Sequence, residues 1–178
     1  MKSMSRVLTL AAGLAAVPLA SLALAQQPVS ALKGHNADAP IDVAADRIEV
    51  QDRSDRAVFA GNVRVRQASL TLDTERLTVA YTSGGGIQIR RLDASGGVTV
   101  RSPSETARGN FGIYDLDRKL ITLIGGVQLT RGGSQINGQR LTIDLNSGRA
   151  VVDGGPAGIG QSGGRVTGHF TVPRRGGS

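Results

Sequence analysis

The sequence lacks most of the residue types that catalytic and metal sites require. Its 178 residues include no cysteine and no tryptophan, and only two histidines, His35 and His169. Without cysteine, disulfide bonds and thiolate metal sites are excluded. The acidic residues form no paired carboxylates and no cluster with the spacing of metal ligands. We therefore expect no enzyme activity, no cofactor and no metal site.

Aromatic residues are also scarce, at 3% of the chain, whereas the formal net charge is +7. A basic chain raises the possibility of a nucleic-acid partner. Against this, the arginines are spread along the sequence, and few aromatic rings are present to stack on bases. We expect no nucleic-acid binding, because net charge alone bears on solubility and association. A core made from this composition has to be aliphatic.

The one long apolar run lies at the N-terminus. A positively charged start precedes apolar residues 7–24, which Pro18 interrupts, and Ala-Leu-Ala occupies positions 23–25. This pattern predicts a secretory signal peptide over residues 1–25, cleaved before Gln26. The alternative is a retained membrane anchor, because the run approaches the roughly 20 residues that span a bilayer. Cleavage would place the mature chain outside the cytoplasm.

From Ile41 onward, apolar and polar residues alternate with a period of two, and no convincing helical stripe occurs. The alternation predicts an all-β domain over residues 41–153 with about fifteen short strands. Residues 26–40 are polar and irregular, which is typical of a linker. Residues 154–178 are glycine-rich and basic, and we expect a disordered tail in which only 165–172 could form a marginal strand.

One phrase, a glycine-containing corner followed by an alternating strand, occurs three times, at residues 61–65, 96–100 and 125–129. The spacings of 35 and then 29 residues are unequal, which argues against a solenoid. We interpret the corners as places where a rolled sheet turns, each followed by a strand with inward-facing apolar residues. In the first strand, Val63 then faces the interior and Arg64 faces solvent.

A set of phrases in fixed order carries a family resemblance. They are Ala-Asp-Arg-Ile-Glu-Val at 45–50, Val-Phe-Ala-Gly-Asn-Val-Arg-Val at 58–65, Arg-Gly at 108–109 leading to Tyr114, Leu-Ile-Gly-Gly-Val at 123–127 and Ile-Asn-Gly-Gln-Arg-Leu-Thr at 136–142. Over residues 41–153, the chain resembles the OstA-like family of periplasmic lipopolysaccharide-transport proteins. The resemblance implies a slightly twisted, open-ended β-jelly-roll of about 15–16 short antiparallel strands.

The resemblance further implies that the protein works in the periplasm and carries lipopolysaccharide, bound by its lipid A moiety, from the inner to the outer membrane. Implied partners are the inner- and outer-membrane transport components that contain related domains, and further copies of the chain docked head to tail. Two alternatives remain open. The protein could be a structural, self-assembling β protein with a packed interior, or an inner-membrane-anchored relative that hands lipid on.

Apolar residues that alternate along the predicted strands are the candidates for a lipid-binding interior. They are Ile41, Val43, Ile48, Val50, Val63, Val65, Leu70, Leu72, Leu77, Val79, Val98, Val100, Tyr114, Leu116, Val127, Leu129, Leu141 and Ile143. Alternation alone does not separate a groove from a packed core. Tyr114 and Leu116 are favoured as lipid contacts, because they fall where the family's lipid-facing strand lies.

The unpaired terminal strands of an open roll are candidates for partner docking by strand addition. The predicted docking edges contain Ile41 and Val43 in the first strand, and Arg149, Val151 and Val152 in the last.

Overall fold

The computed structural model describes residue 32, residues 35–155 and residues 164–171, and every structural statement below concerns these parts of the chain. Ten strands make one antiparallel sheet. They are β1 (Ile41–Ala44), β2 (Arg47–Gln51), β3 (Arg56–Gln67), β4 (Leu70–Thr82), β5 (Gln88–Arg101), β6 (Glu105–Asp115), β7 (Leu120–Arg131), β8 (Ser134–Asp144), β9 (Arg149–Asp153) and β10 (Thr167–His169), with one 3-10 turn at Asp52–Ser54.

The strands follow one another across the sheet in the order β1-β3-β4-β5-β6-β7-β8-β10. Each edge of the sheet contains a second short strand. At the first edge β2 pairs with β3, as β1 does, and at the last edge β9 pairs with β8, as β10 does. The described part of the chain contains no helix long and apolar enough to cross a membrane.

The strands are fewer and longer than predicted, because the glycine corners lie inside strands. Residues 61–62, 96–97 and 125–126 fall within β3, β5 and β7, and strand pairing shifts register at each of them. All six residues have positive φ, between 46° and 87°. The corners therefore bend long strands as β-bulges and do not separate short ones. The prediction of an all-β, rolled antiparallel sheet is confirmed, and the strand count is corrected.

The bends divide the sheet into two halves. We call the first the β1 half, which contains β1, β10 and residues 63–67, 70–74, 98–101, 105–108, 127–131 and 134–138. We call the second the β2 half, which contains β2, β9 and residues 56–60, 76–82, 88–95, 111–115, 120–124 and 140–144. Tyr114 of the β2 half bonds to Gln67 of the β1 half, so the two halves face each other.

Rows of cross-strand partners make the inner face, because directly paired residues point to the same side of a sheet. In the β1 half, one row runs Val43, Val65, Leu72, Val100, Ala107, Leu129, Ile136. In the β2 half, one row runs Val50, Ala57, Val79, Leu92, Tyr114, Ile121, Ile143, Ala150, and a second runs Ile48, Phe59, Leu77, Ala94, Gly112, Leu123, Leu141, Val152. The folded sheet thus brings its aliphatic residues together.

The structured part of the chain extends beyond the predicted domain boundaries at both ends. Within the predicted linker, Leu32 and Ala37 are buried in the core cluster. Within the predicted tail, β10 forms inside the stretch expected to hold a marginal strand, so the sheet continues past residue 153. The predicted signal peptide, and residues 156–163 and 172–178 of the predicted tail, lie outside the described residues.

The close approach of Gly154 and Gly164 explains how the last edge is built. A side chain on either glycine would overlap the backbone of the other. The chain thus leaves the end of β9 and returns beside the same point before it enters β10. As a result β9 and β10 lie in line along β8, one in each half of the sheet.

Candidate functional site

The middle of the inner face is a packed core. Thirteen predicted interior residues are buried on the inner face: Val63, Val65, Leu70, Leu72, Leu77, Val79, Val98, Val100, Tyr114, Val127, Leu129, Leu141 and Ile143. Leu77, Leu123 and Leu141 have no measurable exposure. The structure therefore gathers these residues on one face, and in this state they contact one another in a single cluster.

The inner face opens at the end formed by the last strands. We call this groove of about 530 Å³ the C-terminal mouth. Its apolar lining is Leu129, Ile136, Ala150, Val152, Val166 and Phe170, and its polar lining is Glu105, Arg131, Gly132 and Ser134. Phe170 is 65% exposed. An exposed phenylalanine beside an apolar groove is typical of a binding surface.

The sequence predictions missed most of the C-terminal mouth. Ile136 and Ala150 lie on the alternating pattern but were not among the interior candidates. Val166 and Phe170 lie in the segment expected to be a tail. The available signal was the alternation of Val166, Gly168 and Phe170, which marks a short strand whose register only the partner strand β8 defines.

A second groove opens at the end formed by the first strands. We call this groove of about 320 Å³ the N-terminal mouth. Its lining is apolar except for one phenol: Ile41, Val43, Val50, Ala57, Phe59, Val79, Tyr81, Ile87 and Ile89. Ile87, in the β4–β5 turn, is exposed and was not among the predicted interior residues.

Ile48 and Val50, two of the predicted interior-lining residues, are not buried. They lie on the inner face, because they pair with Phe59 and Ala57, but they are 56% and 57% exposed. The cause is their place on β2, which has a neighbouring strand on one side only in the described sheet. They belong to the open end of the inner face and not to its core.

A polar network crosses the interior between the two mouths. Gln67, only 1% exposed, accepts a 2.8 Å hydrogen bond from the Tyr114 hydroxyl and lies 3.1 Å from Nε2 of His35. Its Nε2 donates to the carbonyl oxygens of Ala37 and Ala39, at 2.8 and 3.0 Å. Burial, followed by the nearby charge of Asp38, raises the pKa of Tyr114 to about 12.

Tyr114 and Leu116, the favoured lipid contacts, differ in their surroundings. Tyr114 is buried, and its hydroxyl is already satisfied by Gln67, so its ring is part of the core in this state. Leu116 packs against the core from the β6–β7 turn and is only partly buried. Neither side chain lines either mouth.

The outer face is polar, as the alternation of Val63 and Arg64 predicted. Arg64 projects outward and bonds Asp73 at 2.8 Å, and Arg101 pairs with the same carboxylate. Partial burial of Asp73 opposes ionisation, but the two guanidinium hydrogen bonds and charges outweigh it and lower the pKa of Asp73. No described group of His, Asp and Glu side chains is arranged to hold a metal ion.

Both predicted docking edges are terminal strands of the described sheet. At the first edge, Ile41 and Val43 point inward from β1. At the last edge, Val152 points inward beside Leu141, whereas Arg149 and Val151 pair with the outward-facing Asp144 and Thr142. Each edge therefore carries inward apolar side chains that continue the inner face to the end of the sheet.

Comparisons with known proteins agree with this architecture. A family model described as LptA/(LptD N-terminal domain) LPS transport protein matches residues 42–149. An uncharacterized protein of Rhizobium meliloti (strain 1021) is 36% identical over 151 residues, which cover 80% of this chain and 81% of the relative. The crystal structure of LptH, the LptA homologous periplasmic component of the lipopolysaccharide transport device of Pseudomonas aeruginosa, superposes with a TM-score of 0.65 at 19% identity, covering 78% of this chain and 99% of LptH.

Proposed function

The chain belongs to the LptA and LptD N-terminal domain family of lipopolysaccharide transport proteins, and we propose that it binds the acyl chains of lipopolysaccharide on the inner face of its roll. The observation that carries the proposal is the pair of apolar mouths at opposite ends of one continuous aliphatic face. The chain has the same fold as LptH, a component of a lipopolysaccharide transport device, and this likeness supports the proposal.

The chemistry of the mouths suits acyl chains. Transfer of each CH₂ from water to an apolar surface contributes about 0.8 kcal/mol. A ligand of this kind needs a long aliphatic surface more than it needs specific polar groups. Val50, Phe59 and Ile87 supply that surface at one end, and Ile136, Val152 and Phe170 supply it at the other.

The protein bridges the two membranes from the periplasm in this proposal. The signal peptide predicted over residues 1–25 supports export. Lipopolysaccharide would pass from an inner-membrane component with a related domain, along the roll, to an outer-membrane component. The mouths at both ends favour this role over a structural, self-assembling β protein, because such a protein has no need of open apolar grooves.

Docking with partners and with further copies occurs at the terminal strands, by strand addition. Adjacent strands alternate in direction, so β9 of one copy and β2 of the next would pair antiparallel and continue the sheet. If the inner rows continue in register, Ile48 meets Val152 and Val50 meets Ala150 of the next copy. The same register places Arg47 opposite Asp153, a pair of opposite charge.

The other half of the sheet supports the same register. The outward row that begins at Asp42 in β1 ends at His169 in β10. A following copy would therefore bring its Asp42 beside His169. Because the chain has no cysteine, mixing an Arg47→Cys variant with an Asp153→Cys variant tests the register directly. Oxidation of the mixture should yield disulfide-linked dimers, and oxidation of either variant alone should not.

Photo-crosslinking tests the lipid-binding proposal. A photoreactive residue at Val50 or Ile136, in the two mouths, should capture lipopolysaccharide. The same residue at Arg64 or Arg66, on the outer face, should not. Equal capture at inner and outer positions, or capture at neither, would show that the inner face does not carry the lipid.

A further inference from the structure

A short N-terminal segment occupies the inner face between the two mouths. We call residues 35–39, together with Leu32, the N-terminal segment. Leu32 is 2% exposed and Ala37 is 8% exposed, and both belong to the core cluster. The segment contacts Gln67 at the end of β3 and Lys119 in the β6–β7 turn, where Nζ bonds Asp38 at 3.1 Å. It therefore spans the middle strands of the roll.

The segment is held through its backbone as well as through the Asp38 side chain. Gln67 donates to the carbonyl oxygens of Ala37 and Ala39, while Tyr114 orients the Gln67 side chain by donating to Oε1. We call Gln67 and Tyr114 the latch. A bond to backbone carbonyls fixes the path of a segment whatever its side chains are. An aliphatic residue at position 67 would fill the core and could not make these bonds.

The closed arrangement also carries an uncompensated cost. Nε2 of His35 is the nitrogen that faces Gln67 Oε1, and because an amide oxygen can only accept, Nε2 donates this bond. Nδ1 is buried and has no hydrogen-bond partner among the described residues. A buried polar atom without a partner destabilises the arrangement that buries it. The segment is thus bound by a few polar bonds in a site that is otherwise apolar.

We propose that the N-terminal segment is a displaceable plug over a third acyl-chain site, which lies on the inner face between the two mouths. This inference rests on the proposed function. Leu32 and Ala37 occupy the apolar surface that an acyl chain of lipopolysaccharide takes when the segment leaves. Displacement joins the two mouths into one trough. In the unloaded protein the plug keeps the middle of that trough from water.

Weakening the latch should tighten lipid binding, because the apparent affinity scales with the fraction of molecules in the open state. Gln67→Leu keeps the side-chain volume and removes the bonds to the two carbonyls. We expect its affinity for purified lipopolysaccharide to rise about tenfold, the equivalent of one to two ordinary hydrogen bonds. Gln128→Leu makes the same chemical change on the outer face and should bind like the wild type.

The movement itself is measurable without altering the latch. Spin labels on cysteines at Asn36 and Arg118 report the separation of the segment from the β6–β7 turn, and labels at Gln88 and Arg118 serve as the control pair. Double electron–electron resonance should show the first distance lengthen when lipopolysaccharide is added, while the second stays constant. This measurement remains informative if Gln67→Leu does not fold.

The outcomes separate the plug from the proposed function. If lipopolysaccharide crosslinks in both mouths and the first distance does not change, the plug is wrong and the lipid-binding function stands. Unchanged or weaker binding by a folded Gln67→Leu variant would also overturn the plug. If the wild-type protein captures no lipopolysaccharide at any inner position, both the function and the plug are wrong.

Discussion

Truncation of Leu123 to alanine tests whether the middle of the inner face is core or open channel. Leu123 has no measurable exposure, and its side chain lies against Gly112, where an added Cβ would be 3.1 Å from Cδ2. Leucine-to-alanine changes at such sites cost about 3–4 kcal/mol, because packing contacts are lost and a cavity remains. At about 2–4 °C per kcal/mol, the midpoint of thermal unfolding should fall by about 10 °C.

Ile136→Ala is the matched truncation in the C-terminal mouth. Ile136 is only partly buried, so we expect its loss to destabilise the fold by about 1 kcal/mol. Ile136→Ala should weaken the affinity for lipopolysaccharide about fivefold, because a lipid-facing methyl surface is removed. This loss of affinity should be larger than the loss caused by Leu123→Ala. Chemical denaturation and a lipid-binding assay on both variants measure the two effects. Destabilisation below 1 kcal/mol by Leu123→Ala, together with a tenfold loss of lipid affinity, would refute the division into core and mouths.

Three further predictions concern the bends, the latch and the outer face. At Gly125, φ is +81° and an added Cβ would lie 2.9 Å from Nδ2 of Asn110, so Gly125→Ala should cost about 1 kcal/mol more than Gly97→Ala, where nothing lies within 4 Å. Burial raises the pKa of Tyr114 from the usual 10.0 to about 12 in the folded protein, so folding favours the protonated hydroxyl. The contribution of this group to the free energy of unfolding is therefore fully present below pH 10 and is lost as the pH rises towards 12. Equilibrium unfolding should show that decline, by up to about 1.4 kcal/mol per pH unit, and Tyr114→Phe should lack it. The lowered pKa of Asp73 means that its ionised carboxylate stabilises the fold above the usual pKa of 3.8. The free energy of unfolding of the wild type should therefore exceed that of Asp73→Asn by at most about 1 kcal/mol, and this difference should vanish on acidification and not in alkali.

The fold was predictable from the sequence because alternation is a local property. The alternation of Val63 and Val65 with Arg64 predicts which side of the strand faces inward, and the two valines are buried in the structure. The number of strands was not predictable in the same way. A Gly-Gly pair with positive φ is compatible with a turn between strands or a bulge within one, and the choice depends on the neighbouring strand.

The site was predictable only in part, because burial depends on where a strand lies in the sheet. Ile48 and Leu77 have the same alternation and share one cross-strand row, yet one is exposed at the edge and the other is buried. Phe170 was missed because the strand that it follows, β10, is three residues long and forms only by pairing with β8. The N-terminal segment was missed because two of its bonds use backbone carbonyls, which leave no sequence signal, and the others join residues far apart in the chain.

The proposed pairing of Arg47 with Asp153 of a second copy illustrates what a strand register adds to a family assignment. Strand addition at an open edge requires only backbone groups, so it does not by itself select one register. The rows of inward residues in the two halves of the sheet and the pairing of Arg47 with Asp153 favour the same alignment. Under that alignment the mouths of successive copies meet, and the inner faces of the copies form a single apolar surface.

An isotope-filtered NMR experiment on the protein bound to lipopolysaccharide would show which face of the sheet contacts the lipid. It measures which methyl groups lie close to acyl-chain protons. We predict cross-peaks to the inward methyls of Val50, Ile136 and Val152, and none to the outward methyls of Ile113 and Val151. Cross-peaks to the outward pair, without any to the inward three, would contradict the claim that the lipid travels on the inner face.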